Sequence, residues 1–590
     1  MRILKLTFIS LAAISLSHAL APAVSAEAPE GESRPTVTPS RNDSRDGSED
    51  AVIYGVPLRL EHRGMLRFRP ELIAGGRLGA GLGGVPAPIE AMTGDVSDAT
   101  TLSWASLRLR YRPLLHIGSN IAISLGIDAP DNLVLGSTHE NAGGVLSTPL
   151  SLSALSGAGD SQSPPSAGSN GMRDGIRIRE AALRVRLFDF LDLELGRGID
   201  HFGLGIFRNN GAGLDANYGS VLDRIAVGFS LAGFRIEGAF EFTASGATTQ
   251  DVASQLNGAG GQPKDLGMDD DVVTWSLRAG RFPSNDADRA ARQIVLQEQR
   301  DWAVDWALFT AITSQRFSSS EPLTENSIEC APVAAMADGR PVQPHDCVRL
   351  FRRDAFLLRP GAWLRAEYQP DPETQIRTEL EVQGIFGDVA HVQRFFDDEI
   401  DDSRIFQGIG AASETEVWRG GLGFGLDAGL ATGDNGRYLG YLDGQNVLDP
   451  DDAAFASNES LRANRRITSF QFNRDYRLDL ILFRQVLGGV TNAVYAKPWV
   501  AYDVLKTESM HLRVRFDALY AAAMRPSGTP GGGEHWGLEF DGRVELGFAS
   551  GLEVQLAAGL LVPLNAFQDV LTGALPDPVY ALRAITSWRF

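Results

Sequence analysis

The chain closes on Tyr580-Ala581-Leu582-Arg583-Ala584-Ile585-Thr586-Ser587-Trp588-Arg589-Phe590. Counted in steps of two, Phe590, Trp588, Thr586, Ala584, Leu582 and Tyr580 make one largely apolar face. Arg589, Ser587 and Arg583 make the other, with Ile585 and Ala581 as apolar exceptions. Successive side chains of a strand point to opposite faces, so this period of two predicts a strand with one greasy and one wet side.

The pattern recurs along the chain. Leu66, Phe68 and Leu72 alternate with Arg67, Arg69 and Glu71, and Leu107 and Leu109 with Arg108 and Arg110. Leu183 and Val185 oppose Arg184 and Arg186, and Leu191, Leu193 and Leu195 oppose Asp192 and Glu194. Leu380 and Val382 oppose Glu379 and Glu381, and Val514 and Phe516 oppose Arg513 and Arg515. Trp536, Leu538, Phe540, Val544, Leu546 and Phe548 oppose Glu539, Asp541, Arg543 and Glu545. A charge facing lipid at mid-membrane costs ~2–4 kcal/mol. The apolar sides are therefore expected to meet lipid and the charged sides a lumen.

Strands tilted across a bilayer need ~9–11 residues. Segments of that length or longer fall at 63–76, 101–113, 119–130, 176–188, 190–201, 221–231, 233–245, 271–281, 301–314, 353–370, 373–388, 403–413, 416–431, 492–503, 510–524, 535–549, 551–563 and 578–590. Connections between them alternate long and short, as in a transmembrane barrel with long external loops and short periplasmic turns. The fold class expected is all-β, a single antiparallel transmembrane β-barrel of about 18 strands. Sixteen would remain if 403–413 and a neighbour stayed out of the wall. An even count puts both termini on the periplasmic side. The connection 282–300 is too long for a short turn, and its Ala287-Asp288-Arg289-Ala290-Ala291-Arg292 run predicts a helical turn.

Arg2, Lys5, an apolar stretch over 6–16 and Val24-Ser25-Ala26 read as a signal peptide over 1–26. Residues 27–62 are polar and rich in Ser, Pro, Arg and Asp, which predicts a disordered periplasmic leader before a barrel over 63–590. With 54 basic and 74 acidic residues the formal charge is −20, the wrong sign for nucleic acid. Much of the acid falls in loops, at Asp269-Asp270-Asp271, Asp397-Asp398 and 449–452, without the spacing of an EF-hand. No metal or cofactor is expected. Gly79, Gly81 and Gly84 have dinucleotide-loop spacing, but Val85-Pro86-Ala87-Pro88 follows where a helix would have to start. No metalloprotease, Walker or nucleophile-elbow motif occurs, so no enzyme is expected. Cys330 and Cys347 share one predicted loop, and an oxidising compartment allows them to pair.

Arg108, Arg110, Arg184, Arg186, Arg513 and Arg515, with Asp192, Glu194, Glu379, Glu381, Glu539, Asp541 and Glu545, are the expected pore lining. They would neutralise one another across strands, or set a transverse field that tunes selectivity. The Gly-rich connection 203–224 offers Asn209, Asp215, Asp223 and Arg224. It is expected either as an exposed loop or as a constriction folded into the lumen, where Asp215 would meet Arg184 or Arg186. The connection 470–487 is too apolar for free solvent and is expected to cap or pack against the barrel.

Two resemblances follow from these residues. The last strand, closing on Phe590, resembles the assembly signal of bacterial outer-membrane barrels, which implies recognition by the barrel-assembly machinery. Leu66-Arg67-Phe68-Arg69-Pro70, Asp131-Asn132-Leu133-Val134-Leu135, His201-Phe202-Gly203-Leu204-Gly205, Asp475-Tyr476-Arg477-Leu478-Asp479 and Gly488-Gly489-Val490-Thr491-Asn492-Ala493 resemble an uncharacterised family of predicted outer-membrane barrels from delta-type proteobacteria. Phe202 departs from that pattern, where Trp is usual. The resemblance implies fold and location, with lipid and lipopolysaccharide as surroundings, and no substrate. The function expected is passive, porin-like diffusion of small hydrophilic solutes. The alternatives are export or uptake of an anionic polymer or sugar, as in alginate-type export, and a closed barrel whose loops serve adhesion.

Overall fold

A computed structural model describes residues 49–53, 56–75, 101–135, 175–188, 190–231, 233–244, 270–283, 286–319, 350–391, 403–434, 466–569 and 572–590. The signal segment, Cys330, Cys347 and most of the acidic loop clusters lie outside the described residues.

Eighteen wall strands run in chain order: β1 Gly64–Gly75, β2 Thr101–Tyr111, β3 Ile121–Asp128, β4 Arg177–Leu187, β5 Leu191–Asp200 and β6 Ser220–Leu231. Then come β7 Phe234–Ala244, β8 Val272–Arg281, β9 Ala303–Ser319, β10 Leu350–Asp371, β11 Thr374–Val389 and β12 Arg404–Arg419. The last six are β13 Leu422–Ala431, β14 Ala493–Lys506, β15 Met510–Ala522, β16 His535–Phe548, β17 Leu552–Pro563 and β18 Val579–Arg589. Each pairs antiparallel with the next, and β18 pairs with β1, Leu582 beside Leu72 and Trp588 beside Leu66. The sheet is therefore closed, and a closed sheet exposes no long edge to lipid. Phe590 completes the seam: its amide donates to Gly64 O at 3.0 Å and its carbonyl accepts from Gly64 N at 2.7 Å. A Cβ at Gly64 would fall 2.2 Å from the Phe590 ring, so a side chain there would displace the ring from its present position.

All 18 expected strands are present, which removes the 16-strand alternative. One boundary moves. The turn between β12 and β13 falls at 420–421, where Gly420 has a φ of +58°, and not near 414–415. The leader also differs from expectation at its end, because Glu49–Ile53 and Val56–Glu61 form a hairpin. It pairs through Leu114–Ile117 with the first residues of β3, Ile121 to Ser124. The expected helical turn is a full helix, α1, Asp286–Gln297. Arg292 ties it to the wall through Asp305 at 2.8 Å and Glu367 at 2.6 Å.

The outer face is apolar and exposed along the even positions of β15–β18, as at Val514, Phe516, Phe540, Leu556 and Leu582. Trp536 is a correction to the expected parity. A register shift between Ala521 and Ala522 turns it inward, where it is fully buried and donates to Asn492 O at 2.9 Å. The inside of the barrel is a packed core as well as a charged wall. Phe470, Phe472, Leu480, Ile481, Leu482, Phe483 and Val486 bury themselves against inward-facing Tyr495, Trp536, Leu561 and Ala581.

Candidate functional site

Two long connections fold into the lumen, 201–219 between β5 and β6, and 468–492 before β14. Neither is a run of helix or sheet, apart from a short π-helical turn at Leu482–Val486. Backbone without regular partners is tolerated at membrane depth only where other groups satisfy its N–H and C=O. Here the wall charges do so.

The basic strands take the carbonyls. Arg67 Nη1 donates to Leu214 O and Ala216 O at 3.0 and 2.9 Å. Arg108 donates to Ala216 O at 2.8 Å and Asn217 O at 2.7 Å, and Arg110 to Gly211 O at 2.8 Å. Asp128 and Asp131 hold these guanidiniums in place, Asp128 at 2.7 Å from both Arg110 and Arg179, and Asp131 at 2.9 Å from Arg108. The acidic strands take the amides. Glu381 Oε2 accepts from Gly205 N at 2.9 Å and Ile206 N at 3.2 Å. Glu539 accepts from Leu480 N, Ile481 N and Leu482 N at 2.9, 2.8 and 2.7 Å. Asp541 accepts more weakly from Leu480 N at 3.3 Å. Lys497 donates to Leu478 O at 2.7 Å and is paired with Asp427 at 2.9 Å.

The two loops are joined into one inner layer. Asp475 accepts from the amides of Asn217, Tyr218 and Gly219 at 2.8, 2.8 and 2.5 Å. Asn473 N donates to Ile206 O at 2.7 Å. Asp215 is bound by Arg69 at 3.0 Å and also by Arg484 and Arg583, so wall and both loops meet on one carboxylate. Burial pushes the Asp215 carboxyl up, and Arg484, Arg583 and Arg69 outweigh it, holding the group well below the usual carboxylate range. The close turn of the first loop needs Gly211, at φ +64°, where a Cβ would lie 2.8 Å from the Gly219 Cα. Arg208, bonded to Asp200 at 2.6 Å and Glu241 at 2.8 Å, lies 4.9 Å from the Phe309 ring and pins the loop's entry.

The expected pore lining thus splits in two. Arg108, Arg110, Glu381, Glu539 and Asp541 face inward as expected, but they are buried under the inner layer and do not line water. Arg184 and Arg186 remain wet, with side chains 45% and 49% exposed, and pair with Glu194 and Asp192 at 2.9 Å each. Arg513 pairs with Asp503 at 2.5 Å and Arg515 with Asp517 at 2.6 Å, stacked over Trp418 and Trp499. Glu379 accepts from Trp363 Nε1 at 3.1 Å and pairs with Arg377, while Glu545 lies 3.6 Å from Arg543. These pairs form within one strand, as Arg515 with Asp517 and Arg543 with Glu545, or between neighbouring strands, as Arg184 with Glu194 and Arg513 with Asp503, not across the lumen. Asn209 is buried within its own turn, and its Oδ1 accepts from Gly211 N at 3.0 Å. Arg224 is on β6, facing inward to Glu194 at 2.9 Å. Two expectations are corrected. Asp215 meets Arg69, Arg484 and Arg583, not Arg184 or Arg186. Asp223 also stands on β6 but faces outward, because strand parity sends it opposite to Arg224.

Arg69, Asp475, Arg484 and Arg583 carry the inner layer without having been singled out for it. The signal for them was the apolar exceptions on the wet face. Ile585 is fully buried against Leu214, and Ala581 lies in the plug core, so an apolar inward position marks a loop folded in upon it.

No family model matches the sequence, and no curated protein matches it. Among solved structures the chain is similar to a BenF-like porin from Pseudomonas fluorescens Pf-5, at 9% identity over 90% of this chain and 98% of that one, with a TM-score of 0.42. It is similar to Pseudomonas aeruginosa OccK9 (OpdG) at 11% identity over 90% and 98%, with a TM-score of 0.41. For a loop-deletion mutant of OmpT of Vibrio cholerae the identity is 8% over 90% and 99%, and the TM-score 0.32. Likeness at this level leaves function to the chain's own residues.

Proposed function

We propose that the protein is a passive outer-membrane channel for small hydrophilic solutes, its route narrowed by the inner layer of 201–219 and 468–492. Barrels of ~16–18 strands are wide enough for an aqueous lumen. The observation that carries the reading is the division of inward charge. One set is spent on holding loops, while Arg184, Arg186 and Asp192 stay wet toward the short-turn rim. A wall of both signs suits small polar solutes, and among the described residues it offers no continuous basic track for a polymer. The short turns and both chain ends are assigned to the periplasm, after removal of 1–26 as a signal. The seam at Phe590 is the proposed contact for the assembly machinery, and lipopolysaccharide the outer neighbour of the apolar belt.

Planar-bilayer recording on the purified barrel tests this. Discrete, voltage-independent conductance steps are expected. A barrel that inserts and never conducts would favour the closed, adhesive reading, because the inner layer would then seal the lumen.

A further inference from the structure

The outer wall carries an ion pair that the inner layer cannot explain. Arg197 on β5 is paired in register with Asp223 on β6, with Nε to Oδ1 and Nη2 to Oδ2 both 2.7 Å. Both side chains are 43% exposed. They share the outward face with Leu195 and Ile199 on one strand and Val221 and Ile225 on the other, and on β7 exposed Phe242 follows Glu241, the ladder partner of Arg224. Other outward charges, such as Arg281, Arg419 and Lys506, stand at the last residue of their strands. Arg197 is six residues beyond the start of β5 at Leu191. At ~3.3 Å per residue and a tilt near ~40°, that is roughly 15 Å from the short-turn rim, inside an apolar band ~25 Å tall.

We propose that two copies of this barrel meet at Arg197 and Asp223. A charge on the lipid face is costly at depth, and the pair does not use up its own hydrogen-bonding capacity. A guanidinium has five N–H donors; the fork on Asp223 uses two, and Nη1 reaches only Ile178 O at 3.4 Å. The remaining donors and carboxylate lone pairs belong to side chains that the wall leaves 43% exposed. A lipid phosphate would match Arg197 and be repelled by Asp223 beside it. A second copy matches both. The two residues lie side by side across the ladder, so a two-fold axis parallel to the barrel axis exchanges left for right. It sets each arginine against the other copy's carboxylate, as an isologous interface requires. The proposal does not depend on whether the barrel conducts.

The test uses the full mature chain in lipid nanodiscs, with Cys330 and Cys347 replaced by Ser. Val221→Cys, next to the pair, should give a covalent dimer on mild oxidation, while Phe516→Cys on the opposite wall should not. Light scattering should show a dimer for the parent, loss of the dimer for Arg197→Asp, and its recovery when Asp223→Arg is added. Heat-modifiable migration on gels checks that each barrel is folded. A monomeric parent, equal cross-linking at both cysteines, or a dimer that survives Arg197→Leu with Asp223→Leu would each overturn the proposal.

Discussion

Asp475 and Asn217 are 258 residues apart in sequence, yet the Asn217 amide donates to the Asp475 carboxylate at 2.8 Å. With Tyr218 N and Gly219 N on the same group, this contact makes two loops one structure inside the lumen. Asp475→Ala leaves three amides without their acceptor, and an unsatisfied buried donor costs ~1–3 kcal/mol. We expect a folded barrel with noisier, larger single-channel currents. Quiet currents of parental size would show that Asp475 does not hold the layer.

Deletion of residues 209–219 should open the lumen further and weaken ion selectivity. It should also cost stability, because Arg67, Arg108 and Arg110 lose the carbonyls they hold, and Arg69, Arg484 and Arg583 lose the Asp215 carboxylate. Urea midpoints in micelles should fall by more than for any single substitution within the loop.

The wall strands were legible because lipid imposes a period of two on every one of them. Their charged faces were equally visible, but the purpose of those charges was not. Alternation tells which way Arg108 or Glu539 points and says nothing of whether water or a peptide group awaits it. Pairing between 201–219 and 468–492 spans more than two hundred residues and has no local signature. Two hints were present: inward Ile585 and Ala581, and a connection at 470–487 too apolar to stay in water. Asp223 shows the opposite limit, since the boundary of β6 decides whether a loop acid becomes an outward wall residue.

Strand parity in β16 gives a direct contrast. Phe540→Arg puts a charge on the exposed outer face and should cost ~2–4 kcal/mol if the site lies near mid-membrane. Glu545→Arg, on the inner side toward the rim, should fold almost normally and change conductance. Trp536→Ala should be costly for another reason, the cavity left by a fully buried indole, ~3–5 kcal/mol. Equal urea midpoints for Phe540→Arg and Glu545→Arg would overturn the parity.

Cys330 and Cys347 are proposed to be bonded in an external loop. The closed loop of roughly 16 residues would stabilise by ~3 kcal/mol in chain-entropy terms. A membrane-impermeant maleimide should label intact cells only after reduction. Labelling of unreduced cells would remove the pairing, and none after reduction would count against the external placement.

The last expectation concerns acid. The Asp215 carboxylate is held below the ordinary range by Arg484, Arg583 and Arg69 acting against burial. A depressed folded-state pKa means that the ionised form is the one the fold binds. Its contribution is complete above the unfolded value near ~4 and is lost only as pH falls through the folded value. Conductance and selectivity should therefore be unchanged between neutral and mildly acidic solution. Asp215→Asn, which removes the charge at all pH, should disturb both by leaving three guanidiniums without their shared partner. If Asp215→Asn behaves as the parent does at neutral pH, the carboxylate is not the post that joins wall and loops, and the layer is held by its other contacts, those of Asp475, Glu381, Glu539 and the wall guanidiniums.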